Sequence, residues 1–303
     1  MIVVTGATGV LGTALMSALF ERSKKATGLS RSDVDLLDYD STVRLFDDLR
    51  PTLVYHAAGR VHGIMGNSQF PAEMYLDNLR INTNVIEAAR LAGCQRIIAV
   101  STVAAYPGDL ALPMHEDDIW NGPPHGTEQF YAHSKRAMLA HLESCRRQYG
   151  LEYAYALMTN IYGPNDRFDV ENGHVVPSLI AKFHEAKRTG KPIYVWGSGI
   201  AKRDFVYSAD AAQSLIAIAE RGSGVINVAS GTTIPIRGLV EILQEVSGVD
   251  DVRWDKSRPD GQLDRSYDTS RLLALGVKPF RTLREGLEAT YRWYGDHYPD
   301  VRT

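Results

Sequence analysis

Cysteine is nearly absent: Cys94 and Cys145 are the only two in 303 residues, and neither belongs to a C-x-x-C pair or another metal-ligand spacing. That excludes a disulfide-stapled fold and gives no case for a metal centre, and both thiols are expected to be buried or inert. There is no run of about 18 apolar residues, so no membrane span is expected. The chain opens directly on the strand-like Met1-Ile2-Val3-Val4-Thr5, leaving no room for a signal peptide's charged head and apolar segment, and a cytoplasmic location is the expectation. Positive charge is not in excess either: 33 Lys and Arg against 36 Asp and Glu give a net charge of -3, with the signs interspersed. A nucleic-acid footprint, which needs a concentrated basic face, is therefore not expected. Repeats and low-complexity tracts are missing too. What is there is 44% apolar residues, enough for the cores of about two domains.

Short apolar runs alternate with helical patterns through the first half, the pattern of a parallel α/β sheet. Strands are expected at Ile2–Thr5, Ala26–Leu29, Leu53–Ala57, Arg96–Ser101 and Tyr153–Met158, with helices over Gly12–Phe20, Leu79–Ala92 and Tyr131–Tyr149. After Asn160 the texture turns to Gly, Pro, Asn and Asp, then to a helix over Pro177–Thr189. Returns to the sheet are expected near Arg203–Val206 and Val225–Val228, followed by helices over Ile236–Ser247 and from Thr282 to about His297. The fold class read from this order is a Rossmann-type, doubly wound α/β sheet with an interleaved smaller domain. Residues 1–160 with about 203–229 would bind cofactor, and 161–202 with 230–303 would bind substrate. Ligands of such sheets lie at the strand C-termini.

The first strand runs into Gly6-Ala7-Thr8-Gly9-Val10-Leu11-Gly12 and then a helix. In a dinucleotide site Gly6 permits the tight turn, Gly9 lets the pyrophosphate approach, and Gly12 lets the helix pack closely. The helix N-terminus offers unpaired N–H groups to phosphate. At the end of the second strand stands Leu29-Ser30-Arg31, where an acid would suit the ribose hydroxyl of NAD and an arginine suits a 2'-phosphate. Arg31 therefore points to NADP(H). Asp38 and the small tetrapeptide His56-Ala57-Ala58-Gly59 fall where adenine and ribose would lie.

Tyr131-Ala-His-Ser-Lys135 places a phenol and an ammonium on one helix face about one turn apart. The ammonium is expected to lower a phenol pKa that is ordinarily about 10. Tyr and Lys four apart arise by chance in many helices, but Thr102, after a strand at the same sheet edge, adds a hydroxyl for the reacting oxygen. Hydroxyl, phenol and ammonium beside a dinucleotide form a carbonyl-reduction set, the hydride being the cofactor's. His174, in Asn172-Gly-His-Val-Val-Pro, is a further acid–base candidate, and His62 a weaker one.

The glycine loop, Tyr131-x-x-x-Lys135, Thr159-Asn160-Ile161-Tyr-Gly-Pro164 and Arg203-Asp-Phe-Val resemble the extended short-chain dehydrogenases. More closely, the chain is similar over nearly its whole length to the GDP-L-fucose synthase family of epimerase/reductases, through Gly59-Arg-Val-His-Gly-Ile, Asn172-Gly-His-Val-Val-Pro-Ser-Leu-Ile, Val195-Trp-Gly-Ser-Gly, Lys202-Arg-Asp-Phe and Arg258-Pro-Asp-Gly. The resemblance implies that Thr102, Tyr131 and Lys135 are catalytic, with Thr where the family usually has Ser. It puts Arg31 on the 2'-phosphate and Asn160 and Ile161 beside the cofactor, with Asn160 and His174 also facing substrate. Trp196, Arg203 and Arg258 would line the nucleotide diphosphate, and Val175 and Leu179 would lie near the base. Arg258 replaces a commoner lysine. The resemblance further implies a homodimer formed through the helices at Leu79–Ala92 and Tyr131–Tyr149.

One position departs from the pattern. Epimerising members carry a cysteine two residues after the catalytic hydroxyl, paired with the histidine matching His174, and here that position is Ala104. Sugar dehydratases carry acids directly after the threonine, whereas this chain has Val103-Ala104. The expected activity is reduction of the C4 keto group of a GDP-4-keto-6-deoxy sugar, hexose or heptose, by NADPH without epimerisation. Two alternatives stand beside it: a bifunctional 3,5-epimerase/4-reductase, and a non-catalytic NADP-binding regulatory protein.

Overall fold

The computed structural model describes residues 1–61, 67, 69–126, 128–171, 173–257, 262–278 and 280–303. Its centre is a six-stranded parallel sheet in the order β2-β1-β3-β4-β5-β9, from Ala26–Leu29, Ile2–Thr5, Leu53–His56, Arg96–Thr102, Glu152–Met158 and Gly224–Val228. Alternate residues of each strand serve opposite faces. Val3, Val54, Ile97 and Tyr155 join one core. Val4, Tyr55, Ile98 and Ala154 join the other. Helices α2 (Tyr39–Leu49), α3 (Pro71–Leu91) and α4 (Gln129–Tyr149) cover the first face, and α1 (Val10–Glu21) with α6 (Ser208–Arg221) covers the second.

Strand order reverses between β1 and β3, since β2 lies on the far side of β1. That is the switch point where a doubly wound sheet opens a crevice. The glycine loop after β1 and the Ala57-Ala58-Gly59 segment after β3 form its two walls. These are the same two loops that the sequence marks for cofactor, and the topology brings them side by side.

The expected return to the central sheet at Arg203–Val206 does not occur. The strand there, β8 (Lys202–Tyr207), pairs in parallel with β6 (Asn160–Tyr162) and antiparallel with β10 (Thr233–Pro235), forming a separate three-stranded sheet. An apolar strand pattern specifies burial, not partner. A third core gathers around α5 (Val175–Thr189), α7 (Ile236–Ser247), α9 (Leu283–His297) and the two-stranded pair of β7 (Ile193–Trp196) with β11 (Val252–Asp255), while the short α8 (Ser270–Ala274) packs beside β9. Thr282 starts α9 with a capping box, accepting from Glu285 N–H at 3.3 Å while Glu285 accepts from Thr282 N–H at 2.9 Å. No helix is long and apolar enough to cross a membrane among the described residues.

Cys94 and Cys145 are both buried, and burial pushes both thiols up, Cys94 to about 11. Both are poor nucleophiles for that reason. Cys145 faces Glu87 of α3, whose carboxylate is engaged by Arg90 at 2.7 Å and His141 at 3.1 Å.

Asp166, in the loop after β6, carries a pH-dependent cost. Its Oδ1 accepts from Arg167 N–H at 2.7 Å, its Oδ2 has no partner among the described residues, and burial pushes the carboxyl up to about 7 against the pull of Arg302. The folded pKa lies above the unfolded one, so folding takes up a proton and this residue's contribution to stability falls as pH rises from about 4 to about 7. Asp166→Asn is expected to leave Tm unchanged at pH 4 and to raise it by about 2 to 8 °C at pH 8. Equal shifts at both pH values in thermal unfolding would refute this.

Candidate active site

The glycine loop is fitted tightly to its neighbours. Gly6 has φ +70°, and a Cβ there would lie 2.8 Å from Ala58 N and 2.9 Å from Ala57 C. A Cβ on Gly12 would collide with the Gly6 carbonyl oxygen and come within 2.8 Å of Ala7 Cα. Ala7 N–H donates to Leu29 O at 3.1 Å, tying the loop to the end of β2. Gly9 is the N-cap of α1, and no side chain caps it. The first amides of α1, those of Val10 and Leu11, are therefore left for an anion. Thr8 is exposed on the crest of the loop.

Beyond β2, Arg31 is exposed. The nearest acid in sequence, Asp33, is folded back onto Ser30, accepting from its N–H at 2.8 Å and its hydroxyl at 2.7 Å, and those bonds hold it below the usual carboxylate range. Asp38 acts locally. Its carboxylate caps α2 by accepting from Ser41 N–H at 2.6 Å, and it stays exposed.

Lys135 Nζ lies 5.8 Å from the centre of the Tyr131 ring and donates to Val100 O at 3.2 Å. A Cβ placed on Gly59 would be 3.6 Å from the same nitrogen, so the wall after β3 runs past the ammonium. Thr102 ends β4, and its Oγ1 accepts from Ala104 N–H at 3.1 Å, leaving its own proton for a second partner. The turn that follows is held to α4 by Arg136, which donates to Ala105 O and to Gly122 O, each at 2.7 Å. Tyr155 of β5 closes the arrangement: it accepts from Ser101 Oγ at 2.6 Å and donates to Lys135 O at 2.8 Å. Thr102, Tyr131 and Lys135 are thus brought to one edge by bonds among their direct neighbours.

The electrostatics differ from the expectation. Burial, reinforced by Glu128, pushes the Tyr131 phenol up, not down. Burial also lowers Lys135 to about 8, which weakens its hold on a phenolate. The phenol is therefore fully protonated near neutral pH, the state of a proton donor.

On the opposite lobe, Arg203 donates to Lys202 O and Gln262 O, each at 2.7 Å. Arg265 donates to the Gln262 side-chain oxygen, and Gln262 Nε2 reaches Gly108 O at 2.6 Å. Burial and the neighbouring charge of Arg265 make the Arg203 cation harder to hold. Two guanidiniums so placed are suited to a shared anion. Asn160 donates to Asp204 O at 2.9 Å, and Ile161 packs under the central sheet. His174 is exposed at the N-cap of α5; Val175 is half-buried, and Leu179 is packed into the third core. Trp196 is exposed at the end of β7, with Lys182 Nζ 5.4 Å from its ring centre. Arg258 and His62 lie outside the described residues.

The model of the NAD dependent epimerase/dehydratase family matches residues 2–229. The chain belongs to that family. A probable GDP-L-fucose synthase of Oryza sativa subsp. japonica is 35% identical over 96% of this chain and 90% of its own length. The GDP-L-fucose synthase of Sinorhizobium fredii is 33% identical over 98% and 96%. The crystal structure of a GDP-L-fucose synthetase from Naegleria fowleri bound to NADP matches with a TM-score of 0.92 at 27% identity, covering all of this chain and 94% of that one.

For a member of the epimerase/dehydratase family, the site's supporting residues are less visible in the sequence than its reactive ones. Asp204 is the clearest case. Buried, it accepts from Thr159 Oγ1 at 3.1 Å and from Ser230 N–H, Ser230 Oγ and Gly231 N–H at 2.9 Å each, bracing β8 against the ends of β5 and β9. Arg265 is the second. A cation inside a polar loop resembles any solvated arginine until the fold sets it beside Arg203.

Proposed function

We propose that this chain reduces the C4 keto group of a GDP-4-keto-6-deoxy sugar, hexose or heptose, with NADPH and without epimerisation. The observation that carries the reading is the grouping of Thr102, a protonated Tyr131 and Lys135 beside the Gly59 wall, with a methyl group at Ala104, the position where the resemblance implies a thiol in epimerising members. The cradle fits a dinucleotide: Gly6 and Gly12 leave space that a Cβ would fill, the start of α1 is uncapped, and Arg31 stands ready for a 2'-phosphate. NADPH, when bound, supplies the hydride. Tyr131 gives its proton to the oxygen at C4, Thr102 donates a hydrogen bond to that oxygen, and the Lys135 ammonium stabilises the phenolate left behind. Arg203 and Arg265, with Trp196, hold the diphosphate, and Val175 lies near the base, Leu179 being packed into the third core. His174 and Asn160 face the sugar.

The GDP-L-fucose synthases among the relatives keep the bifunctional alternative open for this site, and His174 could serve one face of it. Residues 1–160 with about 203–229 form the cofactor part in this reading, amended by the placement of β8 in the second sheet. A groove of about 820 Å³ between α3 and α4, floored by Ala72, Ala137 and Ala140 and rimmed by Tyr75, Trp120 and Phe130, is where a second copy would dock. A monomer in sedimentation equilibrium at micromolar chain would refute that dimer.

The function is tested by NADPH oxidation with GDP-4-keto-6-deoxymannose and its UDP counterpart, the GDP sugar being turned over and the UDP sugar not. In the same assay Arg31→Ala is expected to weaken NADPH by about 10- to 100-fold while changing NADH less than about 2-fold. Equal effects on both cofactors would place Arg31 off the site.

A further inference from the structure

The wall after β3 is tied to the catalytic helix by a buried line of hydrogen bonds. His56, the last residue of β3, is fully buried, and each ring nitrogen has a partner: Thr5 Oγ1 lies 2.8 Å from Nδ1 and Asn82 Oδ1 lies 3.1 Å from Nε2. Beyond them, Thr5 Oγ1 accepts from Ala58 N–H at 3.2 Å, and Asn82 Nδ2 reaches Ser134 O at 3.5 Å, the longest link. Ser134 sits between Tyr131 and Lys135, and its hydroxyl donates to Tyr131 O at 2.6 Å.

Donor and acceptor chemistry gives the line a direction. A carbonyl at Ser134 can only accept, so the Asn82 amide turns its nitrogen there and its oxygen to His56. Nε2 of His56 must then carry the proton, and Nδ1 must accept from the Thr5 hydroxyl. Burial, and the positive charge of Lys135 nearby, lower His56 to about 3 and keep the ring neutral. Thr5, His56, Asn82 and Ser134 are each at most 1% exposed, so water cannot replace a missing partner.

We propose that His56 is a positioning residue: as the neutral Nε2–H tautomer it fixes the Ala57-Ala58-Gly59 wall against the turn of α4 between Tyr131 and Lys135, setting phenol and ammonium in register with the dinucleotide. This rests on the function proposed above, because register matters only if a hydride crosses that gap. Placement errors of about 1 Å cost about 100-fold in such reactions.

Two measurements test it. Nitrogen NMR on histidine-labelled chain, without substrate, is expected to show His56 protonated at Nε2 and unchanged from pH 5 to 9. A ring that titrates in that range, or one protonated at Nδ1, overturns the proposal whatever the enzyme turns over. In steady-state kinetics His56→Phe, which fills the space without either bond, is expected to lower kcat by about 10- to 100-fold with KM and NADPH affinity within about 3-fold. His56→Gln, which keeps a donor toward Asn82, should recover several-fold of that loss. Should the Phe variant not fold, Thr5→Val breaks the same line and should lower kcat by about 3- to 10-fold. Parental kcat in a folded variant, or a Gln variant no better than Phe, overturns it. A parent inactive on every keto sugar refutes the proposed function instead, and the NMR result still decides the line.

Discussion

Tyr131→Phe is expected to lower turnover by about 100- to 10,000-fold while NADPH still binds. The change removes one oxygen from a buried side chain and no apolar contact, so α4 should keep its place against β4 and β5. What is lost is the phenol set beside Lys135 on that helix face. Because burial holds the phenol protonated, the parental group is ready to donate at neutral pH, and no step of ionisation precedes the reaction. Thr102 would still polarise the carbonyl, which is why a residual rate is expected. The effect should therefore fall on kcat with little change in KM, the signature of an interaction made in the transition state. Near-parental turnover in single-turnover measurements would remove Tyr131 from the chemistry.

Gly12→Ala is expected to weaken NADPH binding by at least about 100-fold, or about 2.8 kcal/mol. The added methyl has nowhere to go: its neighbours are the Gly6 carbonyl group and Ala7 Cα, all backbone, so no side chain can swing aside. Either α1 withdraws from the loop or the Gly6 turn opens, and both movements take the amides of α1 away from the phosphates they are placed to meet. The helix itself gains propensity from alanine, so a loss of affinity cannot be put down to a weakened helix. Titration calorimetry on a variant whose circular dichroism matches the parent checks this, and unchanged affinity would show that the loop does not hold the cofactor this way.

Much of this architecture is legible in the sequence because the signals are local. Ile2–Thr5 and the glycines after it announce strand, turn and helix within twelve residues, and the Tyr131–Lys135 spacing places both groups on one face. Other features are hidden for identifiable reasons. Helix α3 begins at Pro71, well before the expected Leu79, because its first two turns bury only Met74 and Asn78, and the polar Asn78 takes a position where an apolar residue would have extended the period. Asn78, Asn82 and Asn84 face inward to satisfy backbone and side-chain groups that only the folded chain brings near, Arg60 N–H for Asn78, the His56 ring for Asn82 and Leu36 O for Asn84. The partner of β8 is hidden for the same reason, since pairing is decided by residues far away in sequence. The Tyr131 shift runs opposite to the expectation because a spacing shows that a cation is near but not how much water is excluded.

Whether this chain reduces without epimerising rests on Ala104 more than on any other residue. Inverting a centre beside a 4-keto group takes a base on one face and an acid on the other. A thiol can serve; the buried Ala104 methyl cannot, and Cys94 and Cys145 are buried with raised pKa values. The direct measurement is reduction of GDP-4-keto-6-deoxymannose by NADPH in D2O, with the product analysed by NMR. The expected product is a 4-hydroxy sugar with no solvent deuterium at C3 or C5 and both configurations retained. Deuterium at either carbon, or an L-configured product, would contradict this account and make the chain a bifunctional epimerase/reductase.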